Sequence, residues 1–97
     1  MWSEAGSVDP RMMSYEPIRN VRLLIIDDDQ TTLRILSLML SKKHSVELYS
    51  NGEEALDNYS PGNCDVVLVD LAMEGIVGDE VGRRIRARDA EVVLVLM

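Results

Sequence analysis

The sequence predicts an α/β fold: a parallel sheet doubly wound, with helices on both faces. Two observations carry this. Short apolar runs alternate with stretches of helical period, strand then helix three times over, and a last apolar run follows. The connecting stretches hold helical segments of ~10–13 residues, the length that crossovers between parallel strands require. In addition, two of the runs are apolar at nearly every position, as strands buried on both faces are.

Residues 21–26 are apolar apart from Arg22 and stop at Asp27, Asp28 and Asp29, which reads as the first buried strand. Over residues 31–43, Leu33, Leu36 and Leu40, joined by Ile35 and Met39, recur at helical spacing. Asp29 or Thr31 is placed to cap the start of this helix, and Lys42 and Lys43 suit the negative end of its dipole. His44 is expected there as a solvated last-turn residue. Val46 and Leu48 alternate with polar neighbours in a short second strand. The pair Asn51-Gly52 marks a turn, and residues 53–59 a short helix packing through Ala55, Leu56 and Tyr59. Pro61, Gly62 and Asn63 end it. Val66, Val67, Leu68 and Val69 form the third strand, which runs into Asp70. Gly75 and Gly78 mark a loop. Residues 79–88 read as a helix with Val81 and Ile85 inward and Arg83, Arg84, Arg86 and Arg88 in solvent. Residues 91–97 are a final apolar strand.

The chain of 97 residues suits a single core, with 46% apolar and 28% charged residues. Residues 1–20 show no period and hold Gly6, Pro10 and Pro17, so they are expected to be a disordered leader or tag, with residues 21–97 as the folded unit. A net charge of −7 repels phosphate backbones and anionic lipid, so direct nucleic-acid binding and membrane binding are not expected. No apolar run approaches the ~18 residues of a membrane span, and no secretory signal is visible; a cytoplasmic location is expected. Cys64, the only cysteine, has no partner for an internal disulfide and reads as an inert, half-buried thiol.

The acidic residues carry the chemistry. In open parallel sheets, ligands gather at the carboxyl ends of the strands. Two strands here end in aspartate, one at Asp27-Asp28-Asp29 and one at Asp70. If these strands are neighbours, the four carboxylates converge. Converging carboxylates repel and are costly to desolvate unless a cation pairs them. Mg²⁺ suits such oxygen ligands, and a carboxylate beside it can act as a nucleophile toward phosphorus.

These residues resemble the receiver domains of two-component response regulators, from residue 21 to about residue 88. The run Leu23-Leu24-Ile25-Ile26-Asp27-Asp28-Asp29-Gln30 is similar to that family's first strand and acidic pair. Asn51-Gly52-Glu53-Glu54-Ala55-Leu56 is similar to the start of its second helix, and residues 65–73 to its phosphoacceptor strand and loop. Gly78 and Arg86 fall where the family has a loop glycine and a third-helix arginine. The resemblance implies a flavodoxin-like strand order, 2-1-3-4, and a signalling module rather than an enzyme. It implies Asp70 as phosphoacceptor, served by a sensor histidine kinase or a histidine phosphotransfer protein. Mg²⁺ would be held by Asp27, Asp28, Asp70 and the backbone carbonyl of Ala72, with Asp29 at a variable acidic position.

The sequence departs from the family in several places. Glu74 stands where a proline is usual, and Val77 where an acidic or amide residue is common. Residues 92–97 offer no Ser or Thr at the end of the fourth strand. The family's later lysine, fifth strand and last helices have no counterpart, so residues 21–97 are expected to be a partial receiver domain. An apolar edge strand at 92–97 would then invite homodimerisation. Two other readings stay open. One is a receiver-like docking module that works without phosphorylation. The other is a haloacid-dehalogenase-like phosphohydrolase, in which Asp27 is the nucleophile and Asp29 the acid/base.

Overall fold

The computed structural model describes residues 20–97. The expected leader therefore lies outside the described residues, except for Asn20. The elements are β1 (Arg22–Ile26), α1 (Gln30–Leu40), β2 (Ser45–Tyr49), α2 (Gly52–Asn58), β3 (Val66–Val69), α3 (Gly78–Arg88) and β4 (Val93–Leu96). The strands form one sheet in the order β2-β1-β3-β4, every pair parallel. This is the expected doubly wound architecture and strand order.

The registers explain the burial. Leu24 lies beside Val67 and Val67 beside Leu94, so these side chains share one face with Ile26 and Val69. That face packs against Ala55 and Leu56 of α2 and Val81 and Ile85 of α3, with Tyr59, Met73 and Val92 closing the cluster. Ile85 and Val81 are fully buried. On the opposite face the register runs Leu23, Val66, Val93 and Ile25, Leu68, Val95. There Ile25 is fully buried, whereas Val93 and Val95 are 54% and 40% exposed. Among the described residues, only α1 covers this face, over the β2–β1 side.

Two details of α1 differ from expectation. The helix ends at Leu40: the Ser41 N–H still bonds the Ser37 carbonyl, and the N–H groups of Lys43 and His44 then both turn onto the Leu40 carbonyl. Lys42 and Lys43 thus lie in the following turn and not in the last helical turn. Leu33 alone of α1 is buried, while Ile35 and Met39 are exposed. His44 is also more than a solvated residue: its Nδ1 accepts a hydrogen bond from the Val21 N–H at 3.2 Å, tying this turn to the start of β1. Asn20 joins the same edge through Ser45 Oγ, at 2.9 Å.

The amino end of the sheet is closed by a buried carboxylate that the sequence does not advertise. Asp89 accepts the Tyr59 hydroxyl at 2.7 Å and the N–H groups of Gly62, Glu91 and Val92. One side chain thereby joins the end of α2, the following loop and the α3–β4 turn. The arginines nearby are also engaged: Arg86 donates to the carbonyls of Asp89 and Ala90, and Arg88 to that of Leu56.

The Tyr59 hydroxyl, assisted by the three N–H donors and opposed by burial, holds the Asp89 carboxyl below its usual range. A group lowered in the folded state stabilises above its unfolded pKa and loses that contribution as pH falls through its folded value. Tyr59→Phe is therefore expected to lower the melting temperature by several degrees at neutral pH. The gap to wild type should narrow below the ordinary aspartate value of about 4. Urea melts at pH 7 and near pH 3 check this; an unchanged gap would mean that the hydroxyl contributes through packing alone.

Candidate functional site

Strand pairing brings the acidic residues together. Asp27 follows β1 and donates its N–H to the Tyr49 carbonyl at 3.0 Å; Asp70 follows β3 and donates to the Ile26 carbonyl at 2.9 Å. The ladders thus run one residue past each strand and fix both aspartates at the carboxyl edge of the sheet. Carboxylate oxygens of Asp27, Asp28 and Asp70 lie within 4.8 Å of one another. Asp27 is buried, Asp70 half-buried and Asp28 exposed.

Backbone donors orient each group. Asp27 Oδ1 accepts from the Asp29 N–H at 2.9 Å, Asp70 Oδ1 from the Ala72 N–H at 3.0 Å, and Asp28 Oδ2 from the Glu74 N–H at 3.2 Å. The last of these ties the loop after β1 to the loop after β3, a link that sequence reasoning missed. Its donor is a main-chain N–H on a distant loop, so nothing in the identity of Glu74 marks it. Among the described residues, no lysine or arginine pairs with the three carboxylates; the ion pairs are Arg22 with Asp65, and Arg83 and Arg84 with Glu80. Burial pushes the Asp27 carboxyl up. The Asp29 N–H opposes that, and the neighbouring Asp70 and Asp28 charges add to it.

Asp29 does a different job. Its carboxylate caps α1, accepting from the Thr31 N–H and the Thr32 hydroxyl, each at 3.0 Å. The Thr32 hydroxyl, then the Thr31 N–H, hold its pKa below the usual range. It is not among the three grouped carboxylates, which weighs against the acid/base role that the phosphohydrolase reading needs. Ala72 is exposed beside Asp70. Behind the cluster, Gly78 opens α3 so close to Asp70 that a Cβ there would lie 2.1 Å from the Asp70 carbonyl oxygen.

A four-stranded parallel sheet of this order, with three aspartates at its carboxyl edge, defines a receiver-type signalling domain. The chain belongs to the response regulator receiver domain family, whose model matches residues 23–97. It is 36% identical over 76 residues to the uncharacterized transcriptional regulatory protein YkoG of Bacillus subtilis, covering 77% of this chain and 33% of that protein. The chain thus spans about a third of the length of the curated relatives it matches. Among solved structures, it is similar to the complex of histidine kinase ThkA with response regulator protein TrrA, at 34% identity and TM-score 0.71, covering 78% of this chain and 66% of that one. It is also similar to the complex of the Saccharomyces cerevisiae phosphotransfer protein Ypd1 with the receiver domain of Ssk1. There the identity is 26% and the TM-score 0.73, over 84% of this chain and 65% of that one. Among the described residues, no helix is long and apolar enough to cross a membrane.

Proposed function

We propose that this chain accepts a phosphoryl group on Asp70 from a histidine kinase or a histidine phosphotransfer protein. The observation that carries the reading is the grouping of three carboxylates within 4.8 Å with no basic side chain among the described residues to balance them. Such a set of hard oxygen donors fits Mg²⁺. Asp27, Asp28, Asp70 and the Ala72 carbonyl would hold it, and when bound it would offset the charge developing on the transferred group.

The residues then divide the work. Asp70 Oδ1 is oriented by the Ala72 N–H. Its other oxygen receives no backbone N–H from the described residues and is the one offered to phosphorus. As the new P–O bond forms, the P–N bond of the donor phosphohistidine breaks and the nitrogen keeps the electron pair. Asp27, held by the Asp29 N–H, and Asp28, held by the Glu74 N–H, keep the acidic groups in register. The complexes of TrrA with a histidine kinase and of Ssk1 with a phosphotransfer protein support the choice of donor.

A second reading is a docking module that works without phosphorylation. Incubation with Mg²⁺ and acetyl phosphate, followed by intact mass, separates the two. The first reading requires an acid-labile gain of one phosphoryl group that disappears in Asp70→Asn. Wild type that stays unmodified, even with a phosphorylated histidine donor, supports the docking module. Turnover of phosphate esters that depends on Asp27 would point to a phosphohydrolase.

A further inference from the structure

The three grouped carboxylates are not held alike. Asp27 Oδ1 takes its N–H from Asp29 and Asp70 Oδ1 from Ala72, each two residues further along its own loop. Such contacts form with the local turn itself. Asp28 is the exposed member of the group. Among the described residues its side chain accepts from one N–H alone, that of Glu74, at 3.2 Å and 46 residues away. The orientation of Asp28 is therefore set by the opposite loop. That donor is well placed. The loop starts where the Asp70 N–H meets the Ile26 carbonyl, and ends where Gly78 lies against the Asp70 carbonyl. Between them, Met73 is 6% exposed and packs in the core cluster with Ala55 and Val81. Gly75 then turns the chain with a φ of +80°. Packing at Met73 thus fixes the Met73–Glu74 peptide, whose N–H meets Asp28.

We propose that Glu74 is a positioning residue for the divalent cation: its main-chain N–H holds the Asp28 carboxylate in place beside Asp27 and Asp70, and so ties cation binding to the loop between β3 and α3. The inference rests on the Mg²⁺ reading above and names a determinant of that site. Groups that orient a metal's ligands govern affinity along with the ligands themselves. A peptide N–H suits the task, because it steadies the carboxylate without bringing a charge that would repel the cation. The Glu74 side chain is exposed and stands outside the three grouped carboxylates. The role therefore belongs to the main chain and survives every substitution except proline, which has no N–H to give. Proline is the residue usual at this position in the family, so the contact is a property of this chain. The coupling is reciprocal: if the bond favours the cation, the cation favours the bond.

The test uses the full 97-residue chain with Mg²⁺ as the only added ligand. Calorimetric titration compares wild type, Glu74→Gln and Glu74→Pro, with circular dichroism to verify folding. Glu74→Gln keeps the N–H and should bind Mg²⁺ as wild type does, since the charge it removes is exposed and screened by salt. Glu74→Pro should bind about tenfold more weakly. In wild type, amide hydrogen exchange followed by NMR gives a second readout. Mg²⁺ should slow exchange at Glu74 several-fold and leave Gly75, whose N–H has no partner among the described residues, unchanged. A proline variant that binds as tightly as wild type would overturn the positioning role. So would a Glu74 amide whose exchange ignores Mg²⁺, and that measurement decides alone if the proline variant does not fold. Equal losses in Glu74→Gln and Glu74→Pro would move the role to the side chain and also overturn the proposal. Wild type that binds no Mg²⁺ would overturn the metal reading itself, and this inference with it.

Discussion

Replacing Gly78 by alanine is expected to destabilise the chain by about 3 kcal/mol or more and to weaken its response to Mg²⁺. The added methyl would lie 2.1 Å from the Asp70 carbonyl oxygen, and 2.7 Å from both the Asp70 carbonyl carbon and Leu71 Cα. All three are backbone atoms, so no rotamer change relieves the overlap; either α3 or the loop after Asp70 must move. Gly52→Ala makes the useful contrast. Its methyl also overlaps its neighbours, at 2.8 Å, but those are the Cγ2 atoms of Ile76 and Val81. Side-chain ends yield more readily, and the expected cost is about 1 kcal/mol. Urea denaturation of both variants, with and without Mg²⁺, checks the pair. Equal stabilities would show that the β3–α3 loop is not held by close approach at Gly78.

The second large effect is expected from the acidic cluster. Mg²⁺ that binds the folded chain alone should stabilise it by about 1.4 kcal/mol at ten times the dissociation constant, equivalent to roughly 6–10 °C in a domain of this size. Asp27→Asn should do two things. Without Mg²⁺ it should raise stability, on the order of 1 kcal/mol, because it removes a buried charge that faces Asp70 and Asp28. With Mg²⁺ the gain seen in wild type should largely vanish, because a ligand has been lost. Thermal melts of wild type and variant across a Mg²⁺ titration read both. A variant that is less stable in the absence of metal, or that keeps the full Mg²⁺ response, would remove Asp27 from the proposed ligand set.

Much of the fold is legible because burial on a sheet writes itself into runs of residues. Leu23 to Ile26 and Val66 to Val69 read as strands covered on both sides; the structure buries the first on both faces, leaves Val66 and Leu68 of the second half-buried on the face α1 does not reach, and ends the two at matching positions in Asp27 and Asp70. Their convergence follows from the parallel order alone. What stays hidden depends on contacts between distant residues. Asp89 reads as one more acid after a helix. Its bonds to Glu91 and Val92 have a turn-like spacing that could have been noticed, but its bond to Tyr59 spans 30 residues. The Gly78 contact is suggested only by family resemblance, since glycine identity does not say which backbone approaches it. The limits of α1 escape the pattern for a local reason: after Ser41 the N–H groups of Lys43 and His44 turn onto the Leu40 carbonyl, a backbone turn that the side-chain spacing does not record.

The strand order also says how the chain can assemble. β1 and β2 are joined by α1 alone and can pair as soon as β2 is made. β3 then adds to the free side of β1, and β4 to the free side of β3. No strand has to be inserted between two that have already paired. Every addition lengthens the sheet at an existing margin and closes a loop spanned by one or two helices. The sheet can therefore grow in the order of synthesis, with the two aspartate-bearing strands meeting before β4 has been made.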